Sequence, residues 1–211
     1  MAVEAEAVSG DTGADELERR RSAALAGHTG DEMLARQLLR DGSPRVRATA
    51  LGALGRLGVT TAVDVSGGLG DDDPLVRGRA CIEAVRVAAI DLVPLLEDPD
   101  SSVVEAAAWA LGERGRSDPG VVSSLVDVAA SHEDALCREA AVAALGSIGH
   151  EDGLPAILAA LSDKPAVRRR AVLALAPFDG PEVETALEQS LDDRDRQVRQ
   201  AAEDLLAAGR G

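Results

Sequence analysis

An alanine recurs six times along this chain at a spacing that a single compact core would not keep: Ala50, Ala80, Ala107, Ala141, Ala171 and Ala202. Each stands four residues after a small apolar anchor, and the anchors Val46, Val76, Val103, Cys137, Val167 and Val198 are 30, 27, 34, 30 and 31 residues apart. Eight residues after the anchors come Leu54, Ala84, Leu111, Leu145, Leu175 and Leu206. Offsets of four, eight and eleven share one face of a helix with about 3.6 residues per turn, so the pattern is the buried stripe of a helix that occurs once per repeat. A period of about 30 residues means stacked supersecondary units that bury their faces against their neighbours. The alanine has a physical reason: a methyl group lets two helix axes come close where they cross, and a larger group would hold them apart.

The residues around the stripe supply helix ends. Pro44, Pro74 and Pro165 stand two residues before their anchors, in a first turn where a missing N–H costs nothing. Gly58, Gly115 and Gly149 follow the stripe where a left-handed residue closes a helix. A preceding helix in each repeat is expected near 31–39, 60–68, 90–97, 118–130, 151–161 and 180–190, with 60–68 the weakest and expected to be short or irregular. The fold expected is all-α: a right-handed α-solenoid of about six helical hairpins, occupying 31–211 as one domain. Residues 15–30 should form a capping helix and residues 1–14 a disordered acidic tail.

Composition agrees. With one Trp, one Phe and no Tyr, the core must be built from Ala, Leu, Val and Ile, which suits close helix packing better than a sheet sandwich. The formal net charge of −15 makes nucleic acid and anionic membrane poor partners. Lys164 is the one lysine among 22 basic residues, a usage that fits a GC-rich genome or a salt-adapted organism. No stretch has the ~20 apolar residues of a membrane span, and the acidic N-terminus does not read as a secretion signal. Cys81 and Cys137 do not make a disulfide framework; Cys137, at an anchor, should be buried, and Cys81 half-buried between neighbouring hairpins. A cytoplasmic protein is expected.

The run Leu96-Glu-Asp-Pro-Asp-Ser-Ser-Val103, continued by Ala107, Leu111, Gly112 and Gly115, resembles the HEAT-like repeats (ARM/HEAT class) of phycobilisome lyases, as do its sister repeats over about 31–208. The resemblance implies the solenoid fold; for function it implies scaffolds, chaperones, lyases and hydroxylases alike. The HEAT-like deoxyhypusine hydroxylases bind two irons through His-Glu pairs two and three residues after the anchor. Here those places hold Ala48-Thr49, Gly78-Arg79, Glu105-Ala106, Glu139-Ala140, Arg169-Arg170 and Gln200-Ala201, with no histidine. No di-iron site is expected; His132 and His150 fall in loops. The HEAT-like alkylpurine DNA glycosylases need a basic, aromatic-lined groove, which a net charge of −15 and one Trp do not provide.

Two sets of residues remain. An Arg follows the anchor in five repeats (Arg47, Arg77, Arg138, Arg168, Arg199), and Val104 takes its place in the third. An Asp precedes the anchor by five at Asp41, Asp71, Asp98 and Asp193, with Asp163 one residue out of register. These form either a structural ladder, each Asp capping a helix, or a row that binds an acidic peptide or phosphate. The second set lies six residues past the anchor, about 160° around the helix from the stripe. It places Trp109, Ile82 and Leu173 on the inner, concave row, with Glu105, Glu139 and Arg169 as a polar rim. An exposed apolar row centred on Trp has the character of a protein-binding hot spot; packing between adjacent helices is the alternative.

The function expected is a non-enzymatic scaffold or adaptor for a protein or peptide partner, with no catalytic, cofactor or metal residues. A lyase-like or chaperone-like protein that handles a bilin or other cofactor is the alternative. A structural subunit of a larger assembly would instead expose apolar surface on the convex face or at the ends.

Overall fold

A computed structural model describes residues 13–115 and 117–208, and these are helical without a strand. The helix α1 (Gly13–Thr29) leads into hairpins α2 (Glu32–Leu38) with α3 (Pro44–Leu57) and α4 (Ala62–Leu69) with α5 (Pro74–Ala84). In the third repeat a single 3-10 turn, Val93–Glu97, precedes α6 (Ser101–Arg114). Then follow α7 (Pro119–Ser131) with α8 (Ala135–Ile148), α9 (Leu154–Ala160) with α10 (Pro165–Ala174), and α11 (Pro181–Ser190) with α12 (Arg196–Ala208). The second helices α3, α5, α6, α8, α10 and α12 pack in succession as one row, and the molecule is an α-solenoid. The expected tail at 1–14 lies outside the described residues up to position 12; Gly13 already opens α1.

The stripe is the core. All six anchors are buried, as are the six alanines four residues on. Pro44, Pro74 and Pro165 each open their helix, and Gly58, Gly115 and Gly149 close theirs at φ of 72°, 60° and 66°. At these C-termini a side chain would carry the strain of the left-handed region.

The first helices differ from expectation in two places. Residues 60–68, expected to be short or irregular, hold a helix that is short, 8 residues, but regular, because Thr61 and Asp64 form a reciprocal capping box at its start. The degenerate repeat is the third. There α5 stops at Ala84, and residues 85–92 run irregularly into the 3-10 turn. The reason is Arg114 on α6, which donates to the carbonyls of Ala84 (2.6 Å), Val87 (3.1 Å) and Ile90 (2.6 Å). One guanidinium thereby satisfies carbonyls that a further helical turn would otherwise have used.

The α1 helix is more than a cap. It packs on α3 as one second helix packs on the next, and Gly27 meets Ala53 there. Gly112 meets Ala144, and Gly146 meets Ala174, in the same way. α1 is thus the second helix of a repeat whose first helix is absent among the described residues. A Cβ on Gly146 would stand 2.7 Å from the Cα of Ala174, against backbone that cannot rotate away. Gly146→Val should therefore cost about 2 kcal/mol, despite the better helix propensity of any other residue. Urea unfolding measures it, and an unchanged midpoint would refute the close approach.

Candidate functional site: a concave channel with a charge boundary

The Arg–Asp pairs run along one edge of the stack. Arg47 forks onto Asp71 (2.8 and 2.7 Å), Arg77 onto Asp98 (2.8 and 2.9 Å), Arg138 onto Asp163 (2.6 and 2.8 Å) and Arg168 onto Asp193 (2.8 and 2.7 Å). Each pair joins the Arg of one repeat to the Asp of the next. The remaining nitrogen of each Arg, Nη1, donates to loop carbonyls of its own repeat, as in Arg77 to Asp71 and Asp72. The ladder begins one rung earlier than the sequence reading placed it, with Arg19 of α1 on Asp41 (2.7 Å). The signal was present: Arg19 and Gly27 are eight residues apart, as are Arg47 and Gly55.

The expected capping role of these aspartates needs correction. Their carboxylates accept from the backbone N–H two residues on: Ser43 onto Asp41, Asp73 onto Asp71, Asp100 onto Asp98 and Asp195 onto Asp193. The helix N-caps are the later residues Asp73, Asp100 and Asp134, each accepting from the N–H two positions beyond. At the missing rung both partners change. Val104, fully buried, replaces the Arg, and His132 stands where the Asp would be, its Nδ1 accepting from the Asp134 N–H at 3.1 Å. Arg199 ends the row with a bond to the carbonyl of Asp193 at 2.6 Å.

The second helices carry an open groove on the face expected to be concave. Trp109, Ile82 and Leu173 are 45%, 40% and 42% exposed. Trp109 and Ile82 line a groove of about 770 Å³ over α5, α6, α8 and α10, together with Ala106, Leu136, Ala140, Ala143 and the carboxylates Glu105, Glu113 and Glu139. Leu173 is exposed but does not line it, and Arg170 lines it in place of Arg169. Arg170 reaches back to Glu139 of α8 at 3.4 Å. One residue along a helix turns the side chain about 100°, which separates the two arginines. Leu136, 57% exposed, was missed because it lies one residue before the anchor Cys137.

Upstream, one ion pair interrupts the apolar packing. Glu83, buried, stands where Ala53, Ala110, Ala144 and Ala174 stand in other repeats, and it binds Arg79 at 2.6 Å. Gly52 and Gly55 of α3 leave the room, since a Cβ at either would fall on the Arg79 guanidinium or the Glu83 carboxylate. The main apolar cluster accordingly starts at Val65, while α1, α2 and α3 hold two smaller clusters of their own.

The cysteines are placed against reactivity. Cys137 is buried at its anchor, its thiol 3.2 Å from the Ser101 carbonyl. Cys81, expected to be half-buried, is fully buried, and that burial pushes its thiol up to about 12. No cluster of His, Cys, Asp and Glu suited to a metal occurs among the described residues, and no helix there is long and apolar enough to cross a membrane.

Stacked helical hairpins with an open inner face define a repeat-solenoid class of protein. The HEAT repeats family matches residues 67–146 and 122–207, and the chain belongs to it. Among solved structures it is similar to the complex of CpcE and CpcF of phycocyanin lyase from Nostoc (25% identity, TM-score 0.60, 84% of this chain and 76% of that one). It is also similar to YibA from Escherichia coli (20%, TM-score 0.64, 91% and 74%). A designed armadillo repeat protein in complex with the peptide (KR)4 matches at 18% identity and a TM-score of 0.52, over 95% of each chain. A comparison with curated proteins finds no match.

Proposed function

We propose that this chain is a non-enzymatic interaction scaffold that holds a segment of a partner protein in its concave channel, with Trp109 as the anchor. The observation that supports the reading is the half-exposed Trp109 in an open groove of Ile82, Ala106, Leu136, Ala140 and Ala143, edged by carboxylates. An apolar floor with an aromatic centre gives affinity by burial, and the charged edge gives selectivity. The armadillo relative holds a peptide on a comparable scaffold, which fits the same role. A second reading, a lyase-like or chaperone-like role, is favoured by the likeness to phycocyanin lyase. It would need a nucleophile other than the two buried cysteines.

Trp109→Ala tests the reading. Because the ring is already half in water, stability should change by no more than about 1 kcal/mol. Binding should fall more than tenfold, as removal of a central aromatic does at a hot spot. Affinity purification from the native host with mass spectrometry, wild type against variant, should show a stoichiometric partner that the variant loses. An unchanged partner set would remove the groove from the account.

A further inference from the structure

The two halves of the channel differ in sign, and we propose that the N-terminal half recognises carboxylate side chains of the bound segment. This rests on the channel being a peptide groove and adds the chemistry of the occupant: an acidic stretch a few residues away from a bulky apolar residue.

Over α1, α3 and α5 the channel continues as a groove of about 630 Å³ whose charged lining residues are Arg20, Arg45, Arg56 and Arg79, with no carboxylate among them. A hollow of about 410 Å³ shares Arg56 and Arg79 with this groove and Trp109 with the apolar one, and Ile82 lines all three. They are one path. On a chain of net charge −15, four arginines in a groove lining that holds no carboxylate are a local inversion of sign.

These arginines are available in a way that the ladder arginines are not. Arg20 and Arg56 are exposed and make no ion pair among the described residues. The Arg45 side chain is 67% exposed and makes one long ion pair, 3.6 Å, with Glu16 of α1. Arg79 gives one Nη to Glu83, and its Nε is buried with no hydrogen-bond partner. Of the acids on α6 and α8, Glu105 and Glu139 stand beside the Trp109 groove, downstream of this cluster, while Glu113 and the buried Glu83 line the hollow that joins the two.

Guanidinium forks match carboxylates in geometry as well as charge. At physiological salt the screening length is about 8 Å, so a docked segment responds to these side chains rather than to the distant net charge. Neighbouring helix axes lie about 9 Å apart, and an extended segment advances about 3.3 Å per residue. Arg79 is one helix from Trp109 and Arg56 two, which corresponds to about three and six residues of the occupant.

The test is a random 12-residue library displayed on phage, panned on the full chain at physiological salt, with selected sequences then synthesised. Recovered sequences should carry at least two Asp or Glu within three to six residues of Leu, Phe or Trp. Synthetic versions without Trp should shift the emission of Trp109, which is the only Trp in a chain with no Tyr. Arg45→Glu with Arg56→Glu should weaken them at least tenfold, and Arg45→Gln with Arg56→Gln by a smaller factor, with circular dichroism unchanged. Apolar sequences without acidic enrichment, still dependent on Trp109, would overturn the carboxylate site and leave the groove standing. Recovery of no sequence, or binding indifferent to both arginines and Trp109, would overturn both. A single-stranded DNA 20-mer that binds tighter than the peptides, with the same arginine dependence, would reassign the cluster to phosphate and overturn the proposal.

Discussion

Replacing Arg77 by alanine should lower the free energy of unfolding by about 4 kcal/mol, the cost of leaving a buried charge without its partner. The Asp98 side chain is 6% exposed, and it receives both Nε and Nη2 of Arg77 at 2.8 and 2.9 Å. The same guanidinium satisfies the carbonyls of Asp71 and Asp72, both at 2.9 Å. Alanine strands all of these acceptors at once. Arg199→Ala is the internal control: its side chain's bond among the described residues goes to the Asp193 carbonyl, and its loss should cost no more than about 1 kcal/mol. The chain also suggests a rescue, since the missing rung pairs Val104 with His132. Arg77→Val with Asp98→His should recover at least half of the loss, because it removes the stranded charge and keeps an acceptor for the Asp100 N–H. Urea midpoints at constant slope decide it. A double variant less stable than Arg77→Ala would mean that the charge pairing is not what the rung contributes.

Acid should unfold the solenoid through the same rungs. Arg47 holds Asp71 below the ordinary carboxylate range, and Arg77, Arg138 and Arg168 do so for Asp98, Asp163 and Asp193, against an opposing effect of burial. A carboxyl whose folded value is depressed adds stability that is complete above its unfolded value, about 3.9. That stability is lost as pH falls through the folded value. Stability should therefore be nearly flat from about pH 9 to 5, with a shallow rise as the excess negative charge begins to be neutralised. Below about pH 4 it should fall steeply. Protonation of the carboxylates then also leaves 22 basic residues and three histidines uncompensated. Urea midpoints from pH 7 to 2, followed by far-ultraviolet circular dichroism, measure the profile. Asp98→Asn should be less stable at pH 7 and lose less on acidification. An identical acid slope in that variant would assign the transition to general charge repulsion instead.

The repeat register was legible because it is a local property. Anchor, alanine, proline and glycine each act within one or two helical turns, so their spacing carries the helix, its buried face and both its ends. The exposure of Trp109 and Ile82 away from the buried stripe followed from the same wheel. What failed was everything that depends on a neighbour. Residues 60–68 read as weak by composition, but Arg36 of the preceding hairpin holds the capping Asp64 at 2.9 and 2.8 Å. The third repeat read as ordinary, but Arg114 from the next helix replaces a helical turn with side-chain bonds. The wheel gives Arg169 as the rim residue, yet Arg170 is the one turned toward Glu139. Cys81 lies fully inside because α5 is covered by helices from both sides.

The alanine spaced four residues after each anchor thus fixed, without any structure, that this chain is a row of close-packed hairpins. It did so because helix periodicity and close approach are written in side-chain size. Which Arg meets which Asp, 21 to 25 residues away, was settled only by the stacking that brings successive loops side by side. Which arginines and which apolar side chains line one groove was settled the same way. Those side chains come from six helices whose relative rotation is set by their packing, and no single helix carries that rotation in its own sequence.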